Sequence, residues 1–289
     1  SPCLSSPEDY RWGRTYEGYS SDPALVEKLG EASVLGYQSA QTNSGKKVVA
    51  CAKHFIGDGN TKFGTGMNGL VDRGNTVLTV DELKEKLLPK YQAAIEADVQ
   101  TIMASYNSWN GVKCHGSKEL LTDILKVEMG FEGFVISDWQ GIDEIPGNYK
   151  TDIITSINAG IDMVMVSGQG QPYKKFMRLL KESVEEGSIP LARIDDAVTR
   201  ILKVKLRNGL FENPIVKNDA LQVIGSDSHR DIARQAVRES MVVLKNQDII
   251  PISKNSKSIV VAGRGADNLG MQCGGWTINW QGGQGDITV

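Results

Sequence analysis

The sequence predicts an α/β protein built on a parallel sheet. Short, near-continuous apolar runs recur at 48–52, 101–105, 134–137, 163–166 and 259–262, the pattern of strands covered on both faces. Longer amphipathic stretches with readable ends lie between them. Strands alternating with helices build parallel α/β folds.

The helical ends are specific. Thr79-Val-Asp-Glu82 has capping-box spacing and opens a stretch predicted as helical to Ala97. Ser117 precedes Leu120, Leu121, Ile124 and Leu125, and Gly130 follows as a C-terminal stop. Pro172 to Glu186 ends at Gly187. Ile194, Val198, Ile201, Leu202 and Lys205 mark a helix stopped near Gly209, and Asp227 to Lys245 reads as a last long helix. About four βα units precede the break at Phe211-Glu-Asn-Pro214, whereas a closed barrel needs eight. Two arrangements fit: a doubly wound sheet, or a (β/α)8 barrel with its first strands upstream of Ser1. Past Pro214 a polar linker and helix (213–256) lead to a predicted strand at Ile259, the start of a second domain at 257–289.

Composition excludes several classes. The chain has 289 residues, 40% of them hydrophobic and 23% charged, with a net charge of −3. That is ordinary globular composition, with no polybasic surface for nucleic acid or anionic membrane. No apolar run reaches the roughly 18 residues that span a bilayer. The N-terminal residues 1–7 lack the charged and apolar regions of a signal peptide. Cys3, Cys51, Cys114 and Cys273 form no Cys-x-x-Cys pair. His54, His115 and His229 have no zincin spacing, so no metal is expected. There is no Gly-Lys-Ser/Thr loop and no Gly-x-Ser-x-Gly elbow. Gly263-Arg-Gly265 begins like a dinucleotide fingerprint, but Asn268 stands where the third glycine belongs.

Five segments could carry chemistry. Gly133-Phe-Val-Ile-Ser-Asp138-Trp139 ends a strand in an acid, the position of catalytic groups in barrel enzymes; helix capping by Asp138 is the competing reading. Lys53-His54-Phe-Ile-Gly-Asp58-Gly59 ends another strand in paired basic residues before a glycine-rich loop. Arg11-Trp-Gly-Arg14 clusters guanidinium and aromatic groups, suited to polyhydroxyl recognition or to cation–π packing. Ser105-Tyr106-Asn-Ser-Trp-Asn-Gly111 sets Tyr106 just past a strand. Cys273-Gly-Gly-Trp276-Thr-Ile-Asn-Trp280-Gln-Gly-Gly283 carries two tryptophans in a glycine-rich loop, where aromatics stack on sugars or partners.

In this order, together with Arg193-Ile-Asp-Asp-Ala-Val-Thr-Arg200 and Gly209-Leu-Phe-Glu-Asn-Pro214, the segments resemble glycoside hydrolase family 3, its β-glucosidase and β-glucan exohydrolase branch. The resemblance implies that residues 1–212 are the C-terminal part of a (β/α)8 TIM-like barrel, followed by the start of an α/β sandwich domain. It implies exo-acting, retaining hydrolysis of β-glucosides, releasing glucose from non-reducing ends without cofactor. It implies Asp138 as the nucleophile, Arg14, Lys53, His54 and Tyr106 around the terminal sugar, and Trp139, Trp280 and Trp276 at the next one. The implied partner is a β-linked oligosaccharide or glucoside. The family acid/base glutamate is expected beyond Val289, so the remaining domain portions are expected from the same parent protein. An incomplete carbohydrate-binding fragment is the alternative, and β-xylosidase a further one. The N-acetylglucosaminidase branch carries a histidine where Asp58 stands here. The resemblance also implies an extracellular, periplasmic or lysosomal setting.

Overall fold

The computed structural model describes residues 1–39, 48–215 and 218–277. These divide into two compact units, Ser1–Val216 and Lys217–Val289.

The first unit is built on parallel strands: β1 (Cys51–Phe55), β3 (Thr101–Ala104) and β6 (Phe134–Ile136), paired in that order. Parallel bridges extend both edges, Cys3 to Lys53 and Ile136 to Met163. Chain passes therefore lie side by side in sequence order, with no reversal of direction. A small second sheet, β2 (Asn75–Thr76), β4 (Ser108–Trp109) and β5 (Val112–Lys113), rides on the connecting loops.

Around the sheet run α1 (Pro23–Ser39), α2 (Val80–Lys86), α3 (Leu88–Glu96), a π-helix (Glu119–Glu128), α4 (Tyr149–Ala159), α5 (Pro172–Glu185) and α6 (Leu191–Arg207). Their apolar stripes cover the strands. Leu83, Leu87, Tyr91, Ala94, Leu121 and Leu125 join Ala52, Phe55, Ile102 and Val135 in one buried core. Ile142, Ile153, Ile157, Leu179 and Ile189 form a second cluster under α4 and α5. A buried ion cluster ties α6 to the sheet. Asp162 binds Lys126 at 2.8 Å, pairs with Arg193, and accepts the Val135 N–H at 2.8 Å.

Several sequence expectations shift. The first strand lies at 51–55, three residues later than its apolar run, because its polar end pairs with both Cys3 and β3. The helix expected from Thr79 to Ala97 divides at Leu87. Pro89 stands at the start of α3, where its missing N–H is tolerated but continuous hydrogen bonding is not. The capping box at Thr79 and Glu82 forms as expected. The run at 163–166 makes one bridge, at Met163.

The second unit contains α7 (Asp227–Ser240) and α8 (Leu269–Cys273). Expected helix at 241–245 is not formed. Residues 259–262 are not a strand either: among the described residues nothing pairs with them, and Val260 is 87% exposed. A strand needs a hydrogen-bonded neighbour, which local β propensity cannot supply.

Candidate active site

Three adjacent parallel strands end in candidate residues. His54 lies near the end of β1, Tyr106 two residues past β3, and Asp138 two residues past β6. Arg14 follows the edge segment that begins at Cys3. Their common position is the carboxyl edge of the sheet, where open α/β sheets and barrels alike bind ligands.

Asp138 is held by its own peptide frame. Its N–H donates to His115 Nε2 at 2.9 Å, and its Oδ1 accepts the Trp139 N–H at 2.6 Å. Oδ2 has no hydrogen-bond partner, although it is buried. It lies 3.6 Å from His54 Nε2. A buried carboxylate oxygen left without a hydrogen bond is costly.

His54 is oriented from its far side. Its Nδ1 meets Asp58 Oδ2 at 2.6 Å, and Ser5 Oγ donates to Asp58 Oδ1 at 2.6 Å. Arg14 Nη2 approaches His54 Nε2 at 3.0 Å. Arginine can only donate, so this contact belongs to the neutral ring, with its proton on Nδ1, the form present above the pKa of His54. A protonated ring would instead aim Nε2–H at Asp138 Oδ2. Burial opposes that charge, but the Asp58 carboxylate outweighs it and lifts His54 to about 9. Glu17 accepts from Arg14 at 2.7 and 2.9 Å and pairs with Lys53 at 3.6 Å, joining both cations to the site.

Cys3, His54 and Asp58 bring sulfur, nitrogen and oxygen donors within 4.8 Å of one another. The 2.6 Å His54–Asp58 contact is a hydrogen bond, however, closer than two ligands around one cation would stand.

Tyr106 and Trp139 complete the rim. The Tyr106 hydroxyl donates to the Trp139 carbonyl oxygen, and burial raises its pKa further above the usual phenol range. Trp139 is 58% exposed.

The Glycosyl hydrolase family 3 N terminal domain model matches residues 1–204. The chain belongs to glycosyl hydrolase family 3. Among family members, it is 32% identical to the lysosomal beta glucosidase of Dictyostelium discoideum over 298 residues, 98% of this chain and 35% of that protein. It is 34% identical to a beta-xylosidase of Formosa agariphila over 271 residues, 89% of this chain and 37% of the relative. Among solved family 3 structures, the exo-1,3/1,4-beta-glucanase of a Pseudoalteromonas species superposes with a TM-score of 0.85 at 41% identity. That match covers 97% of this chain and 35% of the other. The chain thus spans about a third of the length of these relatives.

The structure brings Arg14, Lys53, His54, Tyr106, Asp138 and Trp139 into one connected cluster. Trp276 belongs to the second unit and is 56% exposed. Trp280 lies outside the described residues. Sequence reasoning dismissed His115 as one of three scattered histidines and passed over Arg73. His115 is fully buried, and burial lowers its pKa to about 3, so it stays neutral and can accept the Asp138 N–H. Its only sequence signal is Gly141. A Cβ there would collide with the His115 ring, so glycine is what lets the ring reach Asp138.

Proposed function

We propose that this chain carries the nucleophile side of a retaining, exo-acting β-glucosidase. The supporting observation is the asymmetry of Asp138: Oδ1 is held by the Trp139 N–H, while Oδ2 is buried and unpartnered beside His54. In this reading Oδ2 attacks the anomeric carbon as the bond to the leaving-group oxygen breaks. That oxygen takes a proton from a second carboxyl group. Water then hydrolyses the glycosyl ester, with the same group acting as base. Retention needs the two carboxyl groups roughly 5–5.5 Å apart. We assign the second one to no residue of 1–289.

Arg14, Lys53 and His54 offer charged or polarised donors to the hydroxyls of the terminal sugar, where such bonds are strongest in a partly dry cleft. Trp139, exposed beside Asp138, supplies a ring for the next sugar. The strictly sequential parallel strand order supports reading residues 1–212 as the C-terminal part of a (β/α)8 barrel, since a doubly wound sheet reverses its order at a switch point. Residues 257–289 are then the beginning of a second, sandwich domain. The lysosomal relative supports an extracellular, periplasmic or lysosomal setting.

The test is covalent trapping. Full-length protein carrying this chain is treated with an activated 2-deoxy-2-fluoro-β-glucoside, digested and mapped. The sugar is expected on Asp138; a label on any other carboxylate sinks the assignment. A second reading, β-xylosidase, is favoured by the 34% identity to the Formosa agariphila enzyme. Comparing kcat/KM on aryl β-glucoside and aryl β-xyloside separates the two. Absence of turnover on both, with sugar binding retained, would favour a carbohydrate-binding homologue.

A further inference from the structure

We propose that Arg73 is a positioning residue for the Asp138 carboxylate, acting at a distance through the Tyr106 ring. The inference rests on Asp138 being the nucleophile.

The chain of contacts is short. The Trp139 N–H holds Asp138 Oδ1 at 2.6 Å, and the carbonyl oxygen of the same residue accepts the Tyr106 hydroxyl. The tilt of the segment after Asp138 therefore follows Tyr106. The ring of Tyr106 is gripped from two sides. The Arg73 guanidinium lies 4.0 Å from its centroid, and the His115 ring stands 6.1 Å away at an interplanar angle of 50°. His115 in turn accepts the Asp138 N–H.

Arg73 is itself fixed. Glu144 accepts its Nη1, and Asp72 Oδ2 lies 3.7 Å from its Nε. Asp72 also accepts the Trp12 Nε1–H at 2.9 Å. Lys113 bonds both Glu144 and the Tyr106 carbonyl at 3.0 Å, closing a ring of contacts around the tyrosine. The Arg73 backbone has a φ of +57°, which a long side chain adopts only when its surroundings compel it. An arginine held this way, beside a partly exposed tyrosine, is unneeded for the core: its side chain remains about one-third exposed.

A displacement of about 1 Å at a reacting group can cost about 100-fold in rate. Arg73→Met in the full-length protein is therefore expected to slow trapping of Asp138 by the 2-fluoro glucoside about 10- to 100-fold, with KM for an aryl glucoside within about threefold of wild type. Arg73→Lys, which keeps a cation over the ring, should recover part of the rate. Tyr106→Phe removes the hydroxyl through which Arg73 acts. In that background Arg73→Met should cost no more than about threefold. Thermal midpoints measured alongside separate misfolded variants from misaligned ones, and Arg73→Lys keeps the idea testable if Arg73→Met fails to fold. Equal losses from Arg73→Met with and without the Tyr106 hydroxyl overturn the proposal. So does an unchanged trapping rate in a folded Arg73→Met. A label away from Asp138 in unsubstituted protein overturns this proposal together with the reading beneath it, whereas correct labelling with additive effects overturns this proposal alone.

Discussion

At the scale of single residues, His54 and Asp58 set a pH window. The raised His54 pKa contributes stability that is complete below about pH 6.5 and is lost as pH rises through about 9. Asp58 is shifted the other way: burial opposes its charge, but His54 and the hydroxyl of Ser5 favour it. Its contribution is present above its ordinary value and lost as pH falls through the lowered one. Asp58→Asn removes the partner that makes His54 basic. Between about pH 7 and pH 10 its thermal midpoint should therefore fall less than that of the unsubstituted protein. A parallel decline in both would show that the pair is not the titrating element. Gly141→Ala makes a sharper case. The new methyl displaces His115 from the Asp138 N–H, and turnover should drop about tenfold or more, while glucose binding changes less.

At the scale of elements, the strand ends were legible and their supports were not. Asp138, His54 and Tyr106 stand out because each follows an apolar run. The groups that orient them come from irregular segments: Asp58 from the loop four residues past His54, His115 from a short 3-10 helix, Arg73 from a left-handed kink. No periodicity records such contacts, because they exist only after folding. Polar residues inside β1 also obscure its bounds, since Lys53 and His54 belong to the strand. Capping is local, and so it is readable from sequence. Thr79→Ala should cost about 1 kcal/mol in denaturant unfolding, because Thr79 Oγ1 accepts the Glu82 N–H at 3.2 Å at the start of α2. The ion cluster under α6 is a stronger test. Asp162→Ala leaves Lys126 buried without its nearest counter-charge, and about 3–5 kcal/mol should be lost. A loss under about 1 kcal/mol would mean that Asp196, 3.7 Å from Lys126, compensates.

At the scale of the whole molecule, the two units differ in how they treat apolar surface. The first buries its large side chains in two clusters. The second leaves Ile232, Val242, Leu244 and Val260 mostly exposed, and among the described residues it gathers no apolar core of its own. Exposed surface of this kind binds apolar dyes and seeks partners. Anilinonaphthalene fluorescence should therefore fall markedly when residues 217–289 are removed from the 289-residue chain. Unchanged dye binding would assign the sticky surface to the first unit instead.

The sequential strand order has a consequence in time as well as in space. Arg14 reaches His54 across 40 positions, and Tyr106 reaches Trp139 across 33. Each such contact joins a different βα unit to the next. Long-range closures of this sort come late in folding, after the local helices have formed. Each unit supplies a different residue of the cluster, so its contacts form only as neighbouring units dock. Emergence of sugar affinity during refolding should accordingly lag behind the recovery of helical ellipticity, making the pocket a clock for the final docking of neighbouring strands.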